Sequence, residues 1–193
     1  MFMDTIEYYN KNAQEYFNST VGADMDDQHE VFMKFVKRAG RILDFGCGSG
    51  RDAKFFKEKG YDVVALDGSE EMCKLARAYT GLDVRCERFE DFHDIDCYDG
   101  IWACSSLVHV EPENVLDMLK RLRDALVEDG HIFIAVKRGY GEEITEEGRY
   151  YNYLDFSDME NLIKDSDLKS EYVYMYKNDR EHKYWSNFIL KRK

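Results

Sequence analysis

An alternation between residues 42 and 137 narrows the fold of this chain more than any other feature. Short apolar runs suited to buried strands take turns with amphipathic stretches suited to helices. "RILDFG" is a strand, and "GRDAKFFKEKG" after it is a helix that stops at Gly60. "YDVVALDGS" is a second strand. "SEEMCKLARAYTG" is a helix with Ser69 as its N-cap and Gly81 past its end. "DVRCERF" and "YDGIWACSS" follow as third and fourth strands. "PENVLDMLKRLRDALVEDG" reads as one long helix from Pro112 to a stop at Gly130, and "HIFIAVK" as a fifth strand. Such alternation requires right-handed crossovers, and these place the strands in a parallel sheet with helices on both faces.

The segments on either side differ. Residues 4–38 hold two helical patterns, "DTIEYYNKNAQEYF" and "HEVFMKFVKRAG". After the fifth strand comes a polar, tyrosine-rich connection over 138–156. A helix, "SDMENLIKDSD", follows. Then "SEYVYMYKN" and "KYWSNFILKRK" flank "DREH", which reads as an antiparallel hairpin. No repeat or linker interrupts the chain. One domain is expected, with residues 1–40 as a helical lid and 41–193 as the core. No apolar run is long enough to cross a membrane.

The turn after the first strand, "FGCGSGRDA", packs Gly46, Gly48 and Gly50 together. Glycines there let the backbone turn sharply and approach a ligand, with a helix N-terminus behind them. Asp67 closes the second strand, about twenty residues later, where a carboxylate can accept both hydroxyls of a ribose. Turn and acid together point to an adenosine-bearing cofactor. "GSGRDA" also fits the loose dinucleotide pattern, so the string alone does not exclude NAD. Asp44, inside the first strand, argues against a pyrophosphate and for a cationic amino or sulfonium group.

"ILDFGCGSGRDA", "VVALDGSEEM" and "YDGIWACSSLVHV" together resemble the class I S-adenosylmethionine-dependent methyltransferases. The resemblance covers residues ~40–137, half of the chain. It implies an α/β, doubly wound, Rossmann-like sheet of seven mostly parallel strands in the order 3-2-1-4-5-7-6. The closing hairpin would supply the antiparallel strand. It also implies S-adenosylmethionine as cofactor and S-adenosylhomocysteine as product. Gly46, Cys47, Gly48 and Arg51 would surround the methionine part, with Asp44 at its amino group. Asp67, flanked by Gly68 and Ser69, would bind the ribose, and Met72 would lie against the adenine. Arg88 stands where the family often has an acid for the adenine amino group, which leaves Phe89, Glu90 and Asp91 as alternatives. Ser105 would lie near the sulfonium, and Tyr16 would reach the cofactor from the N-terminal segment.

His109, in "SSLVHV", is the candidate catalytic base, set against a purely structural histidine at a helix start. Tyr8, Tyr9, Tyr140, Tyr150, Tyr151 and Tyr153 either line an acceptor pocket or pack the lid. Few cations are evident in these segments, so a neutral or cationic acceptor is expected. His93, Cys97, Cys104 and His109 lie close in sequence without a metal-ligand spacing, and no metal is expected. Five cysteines, none in C-x-x-C spacing, suit a reducing, cytoplasmic setting. A net charge of −12 opposes polyanions, so the expected acceptor is a small molecule and not nucleic acid. Two readings stand beside methyl transfer: an NAD-type oxidoreductase, and a silent cofactor-binding scaffold.

Overall fold

The computed structural model describes residues 5–178 and 183–193, so the "DREH" turn lies outside the described residues. Two helices open the chain, α1 (Thr5–Thr20) and α2 (Asp26–Met33). The alternating region gives β1 (Arg41–Phe45), α3 (Arg51–Glu58), β2 (Asp62–Asp67), α4 (Glu70–Thr80) and β3 (Arg85–Cys86). Then come β4 (Tyr98–Cys104), α5 (Pro112–Ala125) and β5 (Leu126–Lys137). A small pair, β6 (Glu142–Ile144) and β7 (Tyr150–Asn152), precedes α6 (Phe156–Asp165). The chain closes with β8 (Leu168–Asn178) and β9 (Lys183–Arg192).

Seven strands form one sheet in the order β3-β2-β1-β4-β5-β9-β8. The ladders from β3 to β5 are parallel, and β9 runs antiparallel to both β5 and β8. This is the expected order, with the antiparallel strand inserted between β5 and the edge. The two faces are buried by different helices. On one, Trp102 stacks on Phe133 at 4.0 Å between centroids, with Phe32 of α2 and Phe56 of α3 packed around them. On the other, α5 and α6 cover Leu43, Ile101, Ile132 and Phe188.

Several boundaries differ from the sequence reading, each for a local reason. The helix expected to run to Gly130 ends at Ala125. The N–H groups of Asp96 and Cys97 take the carbonyls of Asp124 and Ala125 at 2.9 Å, so the helix end needs no glycine cap. Gly130 instead lies within β5, where a Cβ would stand 2.8 Å from the Tyr98 carbonyl oxygen. The expected third strand shrinks to Arg85–Cys86, because Phe89 turns into a 3-10 turn and stacks on Phe45 at 4.3 Å. The second N-terminal helix begins at Asp26 and ends at Met33, seven residues before Gly40. The 138–156 connection is not plain loop: β6 and β7 pair within it.

That small hairpin and α1 both bear on the carboxyl ends of the central strands. The Tyr150 N–H donates to Thr5 Oγ1 at 3.2 Å, and Asn152 Nδ2 to the Val110 carbonyl at 3.0 Å. Asn10 of α1 accepts from Ser69 Oγ at 2.7 Å and from the Glu71 N–H at 3.2 Å. An α1 side chain thus satisfies a free donor of the α4 N-terminus and fixes α1 across the sheet.

Candidate active site

The glycine turn bends on three left-handed residues: Gly46, Gly48 and Gly50 have φ of 78°, 52° and 77°. Their roles differ. A Cβ on Gly46 would meet Ser106 Cβ at 2.8 Å, and one on Gly50 would meet Thr80 Cγ2 at 2.7 Å, so both permit close packing. A Cβ on Gly48 would meet only Tyr16, at 3.5 Å, so this residue faces the site.

Beside the turn, Asp67 accepts the Gly48 N–H on Oδ2 at 2.8 Å and the Ser69 N–H on Oδ1 at 2.9 Å. Burial raises its carboxyl above the ordinary value, and the two N–H donors hold the rise down. Asp44 is buried, and its Oδ2 has no partner. Burial and the neighbouring Asp52 push its carboxyl well up, against Arg51 and the Ala53 N–H. A buried carboxylate oxygen with nothing to accept from is costly to keep ionised.

Asp52 has four donors. His29 Nε2 and Arg51 Nε reach Oδ1 at 2.8 Å each. Arg51 Nη2 and Trp102 Nε1 reach Oδ2 at 2.7 and 2.9 Å. Burial would lift this carboxyl, but Arg51 and His29 hold it well below the usual range. Arg51, expected at the cofactor, is thereby fixed beside the turn. Neither His29 nor Asp52 was evident in the sequence, because their link spans α2, α3 and β4.

Two cavities of about 800 Å³ each open on this region. One holds Asp67, Gly68, Ser69, Arg88, Phe89 and Glu90. The other holds Cys47, Arg51, Asp52, Tyr8, Lys137, Arg149, Tyr151, Trp185 and Asn187. They meet at Tyr16, Gly46, Gly48, Cys104 and Ser105. Ser105 sits at this junction with a left-handed φ of 62°, immediately after β4. Most of the expected contact residues are therefore brought together. Three are not among the lining residues. Asp44 lies beneath the turn, Met72 is wholly buried in the core, and Asp91 stands beyond Glu90 in the 3-10 turn.

His109 lines the first cavity, and protein groups engage both its ring nitrogens. Nδ1–H donates to the Tyr150 carbonyl at 2.8 Å, so Nε2 accepts the Tyr9 hydroxyl at 2.9 Å. Burial and Arg149 press it down to about 3, a neutral imidazole. This arrangement braces α1 against β7 and presents no basic nitrogen to an acceptor. His93 is exposed with Nδ1 on the Asp91 carbonyl, and Cys97 Sγ points to the Ile95 carbonyl, so the cluster around His109 is dispersed.

Of the tyrosines, Tyr8, Tyr16 and Tyr151 line the second cavity and Tyr9 and Tyr150 the first, while Tyr140 and Tyr153 lie at a separate surface depression. Arg149, on the turn between β6 and β7, enters the ring cluster. Its Cζ lies 4.7 to 5.8 Å from the ring centroids of Tyr8, Tyr9, Tyr16 and Tyr151. Arg149 and Lys137 bring cations to a pocket where the sequence reading expected few.

A methyltransferase-domain family model matches residues 42–130. A Staphylococcus carnosus uncharacterized methyltransferase is 29% identical over 185 residues, covering 91% of this chain and 86% of the relative. Among solved structures, the Burkholderia thailandensis 1,6-didemethyltoxoflavin N1-methyltransferase superposes with a TM-score of 0.81 at 19% identity, over 98% of this chain and 86% of that one. An S-adenosylmethionine-dependent methyltransferase from Methanosarcina mazei gives 0.74 at 17%, over 84% and 96%. The glycine turn, the Asp67 and Asp44 carboxylates and these matches together support a class I S-adenosylmethionine-dependent methyltransferase.

Proposed function

We propose that the acceptor is a small molecule bound in the cavity lined by Tyr8, Lys137, Arg149 and Trp185, and that the cofactor's adenosine occupies the cavity lined by Asp67 and Phe89. The observation that carries this reading is the meeting of the two cavities at Gly48, Tyr16 and Ser105. S-adenosylmethionine supplies a methyl group already activated on a sulfonium. The chain's part is to hold it, aim it and keep water out. Asp67 receives the ribose hydroxyls, because its carboxylate still has lone pairs after the Gly48 and Ser69 bonds. Asp44 receives the ammonium. Phe89 and Glu90 bound the adenine, and Tyr16 closes over the junction from α1. His109 positions Tyr9 and the β7 backbone.

A small-molecule acceptor also fits the Burkholderia neighbour, whose name gives a small heterocycle as its acceptor. A net charge of −12 disfavours RNA. Five free cysteines suit the cytoplasm, and among the described residues no helix is long and apolar enough to cross a membrane. The test is methyl transfer from labelled cofactor to a metabolite panel and, in parallel, to total RNA. Labelled metabolites support the reading. Label in RNA alone, with a steep salt dependence, overturns it.

A further inference from the structure

We propose that the acceptor carries an oxyanion, a carboxylate or a phosphoryl group, held between Arg149, Lys137 and Asn187. This rests on the methyltransferase reading and adds the chemistry of the acceptor. The two cations share one ring: Lys137 Nζ lies 4.8 Å and Arg149 Cζ 4.7 Å from the Tyr151 centroid. Lys137 also lies 5.9 Å from the Trp185 ring. The neutral groups beside them are donors too. Asn187 is 2% exposed and its Nδ2 has no partner, nor has the Trp185 indole N–H or Arg149 Nε. Among the described residues no carboxylate pairs with Arg149. The acids that line the same cavity do not pair with Arg149. Asp52 is already engaged by its four donors, and Glu15, Asp24 and Glu147 are exposed. Buried donors that lack acceptors, in a cavity that opens on Ser105, call for a ligand rich in acceptor oxygen.

The tyrosine rings alone would favour a cation, so charge decides between two occupants. The experiment uses the intact protein saturated with S-adenosylhomocysteine. The probes are benzoate, phenylphosphonate, benzamide and benzylamine at constant ionic strength. Binding is read by thermal shift and by tryptophan fluorescence, to which Trp185 contributes from the pocket. Saturable binding of benzoate or phenylphosphonate is expected, with little response to benzamide or benzylamine. The tighter of the two anions names the class. Arg149→Gln and Lys137→Met should each weaken anion binding at least tenfold, and Arg149→Lys should restore part of it. Binding of benzylamine without the anions overturns the proposal, as does anion binding unchanged in both charge-removing variants. S-adenosylhomocysteine affinity is measured on every variant. A parallel loss of it in Arg149→Gln would assign Arg149 to the cofactor's own carboxylate and overturn the proposal. Failure of the parent protein to bind S-adenosylhomocysteine would instead count against the methyltransferase reading itself.

Discussion

The Gly48 N–H donates to Asp67 Oδ2 at 2.8 Å, so the carboxylate at the end of β2 is tied to the glycine turn after β1. With the Ser69 N–H on Oδ1, both oxygens are aimed before any ligand arrives. Asp67→Asn should therefore disturb more than one hydrogen bond. Its amide NH2 must face one of two N–H donors, and an acceptor for the ribose is lost. Cofactor binding should weaken by about 2–3 kcal/mol, as for hydrogen bonds to a charged group. Calorimetric titration with S-adenosylhomocysteine reads this. Affinity within a factor of three of the parent would show that Asp67 does not hold the ribose.

The glycines of the turn should separate stability from binding. Alanine at any left-handed position costs about 1–2 kcal/mol. Gly46→Ala adds a contact of 2.8 Å to Ser106 Cβ, so it should lose more than Gly48→Ala, whose Cβ meets only Tyr16. Gly48→Ala should fold and bind the cofactor poorly, because its methyl group enters the junction of the two cavities. Urea denaturation and cofactor titration of the two variants check the order. Equal stability losses with unchanged binding in Gly48→Ala would refute it.

The succession of strands and helices and the glycine turn were legible because their signals are local, whereas the sheet order came from the family resemblance. A strand, three glycines, a helix and an acid at the next strand end lie in sequence order, and each is set by its own backbone. The acceptor side was not legible. Arg149 and Lys137 look like solvated charges in "EEGRYYN" and "IAVK", and only the folding of β7 and α1 over β5 brings them to one ring. Trp185 and Asn187 lie two apart on one face of β9, and the cavity they share depends on the register of β9 against β5. His109 was legible as a residue placed near the site. Its role depends on partners about forty and one hundred residues away, Tyr150 and Tyr9.

Burial and the nearby Arg149 make His109 contribute to acid stability. Its imidazole is held at about 3 in the folded chain, against an ordinary value near 6.5. Below 6.5 the unfolded chain binds a proton that the folded chain refuses. Stability from this group is thus fully present above 6.5 and falls as the pH drops towards 3. By pH 5.5 the loss should be about 1 kcal/mol. His109→Gln should flatten the stability profile between pH 6.5 and 5 relative to the parent. Tm measured across that range in both proteins checks it, and parallel profiles would contradict the neutral, buried imidazole.

Asp44 gives a test in which two effects have opposite signs. Its Oδ2 is buried without a partner, and burial and Asp52 raise its carboxyl well above the ordinary range. A group raised in this way favours the folded state at low pH and opposes it once the pH passes the folded value. In the absence of a cation the ionised form is therefore a strain on the fold. Asp44→Asn removes the charge at nearly constant shape, so the ligand-free variant should melt higher than the parent. The same change removes the seat of the cofactor's ammonium, and S-adenosylhomocysteine should bind at least tenfold more weakly. Binding to the parent should also weaken as the pH falls, because a protonated Asp44 attracts the ammonium poorly, and the variant should lose that dependence. Proton release on binding, read by calorimetry in buffers of different ionisation enthalpy, gives the same answer independently. A variant that melts lower and binds as tightly as the parent would mean that Asp44 supports the strand and not the cofactor.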